Sequence, residues 1–165
     1  MNSSTKKRIL ISVIILMAAS AVLYALPIRF GITKTVPAQV IESMSSGMAS
    51  ATEMTIDGTY TFCIFKPDRF EGSVKIAAFP ETSGRTVDLK LTSEPDSLIY
   101  RNWQGSKLDS MMFGMICADF AMNSIIILKT DANGAIDLTG EQTCVILAGN
   151  ASADDARKML NDLSK

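Results

Sequence analysis

Two periodicities divide the chain. From Ile9 to Leu26 no residue is charged and most are apolar, whereas beyond Ile56 the apolar positions recur at every second residue. Tyr60, Phe62 and Ile64 alternate with Thr61 and Cys63; Val74, Ile76 and Ala78 with Ser73, Lys75 and Ala77; Val87, Leu89 and Leu91 with Thr86, Asp88 and Lys90. Alternation of this kind predicts half-buried strands, and the intervening stretches around Pro67, Pro80 to Gly84 and Pro95 predict turns. Leu98 to Trp103 reads as a fourth strand. The nearly unbroken apolar run from Met111 to Leu128 reads as two buried strands turning near Asn123-Ser124, because Asp119 and that polar pair would be costly inside a bilayer. Asn133-Gly134 predicts a hairpin joining Ile125–Lys129 to Ala135–Leu138, and Thr143 to Ala148 forms a last strand. A helix closes the chain: Ser152 caps it, Asp154 and Asp155 suit its positive end, and Ala153, Ala156, Met159, Leu160 and Leu163 make its apolar stripe. The expected fold is mainly β, an antiparallel meander of about eight strands, barrel-like or a sandwich, carrying a C-terminal α-helix.

The amino-terminal run has a different destination. Eighteen helical residues rise about 27 Å, close to the hydrocarbon thickness of a bilayer. Lys6, Lys7 and Arg8 precede the run, which keeps residues 1–8 in the cytoplasm and makes 9–28 a single-pass transmembrane signal anchor. Cleavage as a secretory leader is the competing reading and would release the protein. It is disfavoured: Ala19-Ser20-Ala21 lies inside the apolar run, and a cut after Ala25 would put bulky Leu23 third from the site. Residues 29–55, rich in Ser, Thr, Ala and Met, read as a linker, part helical where Val40, Met44, Met48 and Ala51 recur at helical spacing. Residues 56–165 are then the extracytoplasmic β domain.

Composition narrows the chemistry. The 165 residues include no histidine, which removes Ser-His-Asp, Cys-His and histidine-metal sites. Of 16 basic residues, Lys6, Lys7, Arg8 and Arg29 lie before residue 30, leaving 12 against all 17 acids; that balance argues against nucleic acid as a partner. No phosphate loop or dinucleotide fingerprint occurs, and Asp131-Ala132-Asn133 lacks the glycine and glutamate of a calcium loop, so no cofactor or metal is implied. The expected partners are the lipid bilayer and, beyond it, an envelope protein or a small ligand.

The candidate ligand-binding residues are Tyr100, Arg101, Asn102 and Trp103, which set aromatics beside a guanidinium and an amide, and Asp119, a carboxylate in the most apolar part of the chain. Cys63 and Cys144 fall in the first and last expected strands, which become neighbours if the sheet closes, so a disulfide between them is a geometric option; Cys117 would be left over. These features suggest a non-catalytic binding or envelope-accessory protein. One alternative is a lipocalin-like carrier of a small apolar ligand, lined by Phe113, Met115, Ile116 and Phe120. Another is a hydrolase working with carboxylates alone.

Overall fold

The computed structural model describes residues 9–18, 26–44, 47–92, 94–131, 133–139 and 143–164. A helix, α1, occupies residues 9–18. Eight strands follow: β1 (Ile28–Ile41), β2 (Ala49–Phe62), β3 (Asp68–Ile76), β4 (Val87–Leu91), β5 (Asp96–Gln104), β6 (Lys107–Ala118), β7 (Ser124–Lys129) and β8 (Val145–Gly149). The C-terminal helix, α2, spans Ala153–Leu163. The strands form one antiparallel sheet in the order β4-β3-β2-β1-β8-β7-β6-β5, so each strand neighbours those before and after it, and β1 meets β8. Between β4 and β5 a single bridge, Thr86 with Arg101, exchanges two backbone hydrogen bonds of 2.8 Å and nearly closes the ring.

Alternation decides what lies inside. Met54, Ile56 and Tyr60 on β2, Phe70, Val74 and Ile76 on β3, Leu98 and Tyr100 on β5 and Ile125 and Ile127 on β7 join one interior cluster. An eight-stranded barrel is just wide enough for its own side chains to fill it, and here Tyr60, Phe70, Met54 and Tyr100 are essentially without solvent contact. A ring this tight requires strongly bent strands. At the β2–β3 pair Gly58 faces Gly72; a Cβ on Gly72 would stand 2.3 Å from the Asp57 carbonyl oxygen and 2.5 Å from the Gly58 Cα. The ring of Phe70 occupies the space over Gly58, 2.9 Å from where its Cβ would be. These two glycines let two backbones approach closely at the bend.

β7 and β8 are apolar on both faces because both are covered. Ile125, Ile127, Ile146 and Ala148 point inward, while Ile126, Leu128, Val145 and Leu147 point outward beneath Ala156, Met159 and Leu160 of α2. The predicted cap of α2 is present: Ser152 Oγ accepts from the Asp155 N–H at 3.2 Å, and the Asp155 carboxylate accepts from the Ser152 N–H at 3.1 Å. The ring has a lower end, where the chain enters β1 and where the β2–β3, β4–β5 and β6–β7 turns lie, and an upper end, which holds the β5–β6 turn and the residue 130–144 loop.

Three expectations change. Residues 29–55 are not a linker and hold no helix among the described residues: β1 and β2 pair along their whole length, from Ile28 with Phe62 to Ile41 with Ala49. Phe30, Ile32, Val36, Ala38 and Val40 supply a period of two that favours this pairing, and Pro37 is tolerated because pairing with β8 begins only at Ala38. Residues 135–138 are not a strand. Asp131 Oδ1 accepts the Asn133 and Ala135 N–H groups at 2.8 Å each, and the Asp131 N–H donates to the Ala135 carbonyl, so the segment closes on itself while β8 takes the edge of β7. The expected span over 9–28 is described as helix only over residues 9–18, ten residues that rise about 15 Å. Among the described residues no helix is long and apolar enough to cross a membrane, and residues 19–25 of the expected span lie outside the described residues.

The glycine pair makes a direct prediction. Gly72→Ala places its methyl against backbone that no rotamer change can move, and should cost at least ~2 kcal/mol of stability. Gly31→Ala enters open space on the outer wall and should stay within about 0.5 kcal/mol of the parent. Urea midpoints of the two variants measure the difference.

Candidate functional site

The residues chosen from the sequence do not form one site. Strand period sends Tyr100 into the barrel and turns Arg101 and Trp103 outward. Tyr100 donates its hydroxyl to the Val74 carbonyl at 2.6 Å and meets Phe113 edge-on at 5.4 Å; burial raises its pKa. It is a core residue with a satisfied hydroxyl. Asn102, half-buried, returns toward the inner side near the upper end.

Arg101 and Trp103 line a groove of about 560 Å³ on the outer wall, with Thr59, Glu71, Thr86 and Asp88. Asp88 is the electrostatic centre of this groove. Arg69 grips it with two charge-assisted hydrogen bonds, Nε to Oδ1 at 2.7 Å and Nη2 to Oδ2 at 2.5 Å, and Arg101 stands 3.9 Å away. The Arg69 hydrogen bonds hold the Asp88 carboxyl below its ordinary value of 3.8. Trp103 is 67% exposed and lies across from Leu108 at the β5–β6 turn.

Asp119 sits at the lower end, far along the wall from Trp103. Its Oδ1 accepts the Ser124 N–H at 2.6 Å and its own N–H donates to the Ser124 carbonyl at 3.1 Å, closing the β6–β7 turn. Within this turn Ala121 and Met122 adopt φ of 57° and 58°, a left-handed conformation that costs a non-glycine residue energy and needs surrounding structure to hold it. Lys34 supplies part of that support: its Nζ donates to the Ala121 carbonyl and to Asn123 Oδ1, both at 2.8 Å. Partial burial lowers the Lys34 pKa, and the Asp119 charge opposes that shift.

Asp119 also borders a groove of about 1000 Å³ between α2 and the β4–β5 turn. Cys117, Ala118 and Ile126 form its floor, with Glu94 and Pro95 on one side and Asp155, Lys158, Met159, Asp162 and Leu163 on the other. Burial, and then the Asp119 charge, push the Cys117 thiol up, away from the thiolate that nucleophilic chemistry needs. Burial likewise raises Cys144. All three cysteines are free. The suggested Cys63–Cys144 bond is excluded by register: Cys63 follows Phe62, opposite Ile28, and Cys144 precedes Val145, opposite Ile41. Nearly the full length of β1, some 40 Å of strand, separates positions that a disulfide needs within about 7 Å.

The residues that would line an apolar cup are dispersed. Phe113 and Ile116 are interior packing, Met115 supports the outer cluster beneath α2, and Phe120 is exposed at the lower mouth. There Phe120 meets Tyr60 at 5.5 Å and Phe62 at 5.9 Å, and Phe30 stacks on Tyr60 at 5.1 Å. Aromatic side chains therefore close the mouth. The Tyr60 hydroxyl donates to Asp68 Oδ2 at 2.6 Å; burial first, then this bond, raises its pKa.

Sequence reading passed over a third outer groove, about 360 Å³, bounded by Pro27, Arg29, Thr61, Lys66, Arg69 and Glu71. Register explains it: Arg29 pairs with Thr61, Thr61 with Arg69, and Arg69 with Lys90. These side chains stand in one row on the outer wall. Only the strand assignment of residues 28–41 reveals that row.

Because the folded pKa of Asp88 is lowered, its contribution to stability is fully present above its unfolded value and disappears as pH falls through the folded value. Asp88→Asn should cost less than ~1 kcal/mol at pH 7, the pair being largely solvated, and should flatten the stability curve below pH 3.8. Unfolding midpoints between pH 2 and pH 7 read both effects. No protein-family model, curated protein or solved structure matches the chain.

Proposed function

We propose that the chain is a non-catalytic binding module, held at a cell membrane by its N-terminal apolar segment with the barrel outside the cytoplasm, that engages its partner across the outer wall. The filled interior carries this reading. Among the described residues Tyr60, Phe70, Tyr100 and Phe113 pack the barrel interior, which favours recognition at the exterior grooves. The titratable groups also favour binding over catalysis. The chain has no histidine, the Cys117 and Cys144 thiols are shifted toward the protonated form, and Asp88, Asp131 and Asp155 are all shifted toward the ionised form.

The groove beside α2 is the docking surface this reading favours. Its walls carry Glu94, Asp119, Asp155 and Asp162 against Lys158, around an apolar floor, a composition that suits a protein segment bearing basic and apolar side chains. The membrane part of the reading rests on the uncharged run from Ile9 to Leu26, on the three preceding cations, and on the exposure of every residue of α1. A continuous apolar surface left uncovered by its own chain calls for another apolar medium.

Two measurements test the proposal. A photo-crosslinking side chain at Lys158 in intact cells should give a discrete adduct that disappears on Glu94→Lys with Asp162→Lys, while the same probe at Lys75, on the outer face of β3, should give none. Equal labelling from both positions, or none from Lys158, contradicts the groove. Protease added to intact cells should cleave within residues 56–165; complete protection there contradicts the topology.

A further inference from the structure

The lower end of the barrel combines three features that the grooves do not explain. First, it exposes large apolar side chains: Ile64 and Phe65 at the β2–β3 turn, Phe120 at the β6–β7 turn, and Leu26 and Ile28 where the chain enters β1. Phe65 is 68% exposed, and Phe120, 56% exposed, rests on the aromatic mouth rather than within it. Second, cations flank the β2–β3 turn at this apolar edge. Arg29, Arg69 and Lys90 stand in a cross-strand row with Thr61, and Lys66 lies directly beside Phe65. The rim around the start of α2 and the β6–β7 turn carries Asp119, Asp154 and Asp155, with Lys158 beside them. Third, this is the end from which the uncharged Ile9–Leu26 run leads.

We infer that the lower rim is a bilayer-contacting surface, in which Ile64 and Phe65 enter the interfacial zone while Arg29 and Lys66 meet anionic lipid phosphates. The inference rests on the membrane reading above and adds an orientation to it. Apolar and aromatic residues beside Lys and Arg match the layered chemistry of a membrane interface, acyl chain next to phosphate. The acidic side of the rim would be repelled by the same phosphates. The barrel therefore stands tilted, its β2–β3 turn lowest and the α2 groove turned away from the lipid and open to a protein partner.

The single tryptophan provides an internal control, since Trp103 lies near the upper end of β5. The full chain is reconstituted into vesicles of phosphatidylcholine with phosphatidylglycerol, brominated at shallow acyl positions, and recovered by flotation. Two forms are compared: the parent, which reports from Trp103, and Phe65→Trp with Trp103→Phe, which reports from the rim. Ile64→Trp in the same background is a second rim probe. The rim probes should lose about half of their fluorescence to the brominated lipid, a depth typical of interfacial aromatics, and Trp103 should be unaffected. Arg29→Ser with Lys66→Ser should reduce rim quenching in anionic vesicles to its level in pure phosphatidylcholine. Flotation with unquenched rim probes overturns the rim contact and leaves the membrane anchor standing. Equal quenching at rim and Trp103 overturns the orientation. Failure to float overturns the anchor and, with it, this inference.

Discussion

Space inside an eight-stranded ring constrains everything else in this protein. Such a barrel has room for one layer of inward side chains or for a small ligand, but not for both. Here two tyrosines, phenylalanines, methionines and branched aliphatics use that space, and the hydroxyls that accompany them are satisfied: Tyr100 by the Val74 carbonyl and Tyr60 by Asp68. Gly58 and Gly72 let the backbones of β2 and β3 approach closely, with the Phe70 ring packed over Gly58. Once the interior is committed to packing, binding surfaces can arise only on the wall and at the ends.

The wall is specialised by what covers it. α2 covers β7 and β8, which explains why those strands are apolar on both faces, and its flank against the β4–β5 turn creates a groove. On the other side, among the described residues, no α-helix lies over β2, β3 and β4, and their outward residues are threonines and ionic pairs such as Arg69 with Asp88. The two ends differ as well. The lower end is closed by a cluster of aromatic rings and by a strained turn that Lys34 holds from inside the mouth. Strain in Ala121 and Met122 is thus offset by fixed hydrogen bonds, and it sets Phe120 outward over the rim.

Much of this architecture was legible in the sequence, and the failures have physical causes. The strict alternation of β4, the split apolar run of β6 and β7, and the cap and stripe of α2 are local signals, and the structure follows them. β1 and β2 were harder to see because Lys34 interrupts the inward apolar series of β1, and because Ser, Thr, Ala and Met in β2 resemble a spacer until a partner strand is known. The candidate site was less legible than the fold. Tyr100, Arg101, Asn102 and Trp103 are contiguous in sequence, but a strand divides contiguous residues between two faces. The row of Arg29, Thr61, Arg69 and Lys90 is the converse case: it is distant in sequence, is assembled by register, and carries no motif. The Cys63–Cys144 suggestion failed for a related reason: β1 lies between β2 and β8, and the two cysteines stand at opposite ends of it.

The central claim, a barrel whose interior is occupied by its own side chains, is tested most directly by titrating the purified chain with a fluorescent fatty acid below detergent-micelle concentrations. A packed interior should give no saturable binding within the barrel, and unchanged fluorescence when Phe113→Trp, in a Trp103→Phe background, reports from the interior. Stoichiometric binding that quenches or shifts that interior tryptophan would contradict it.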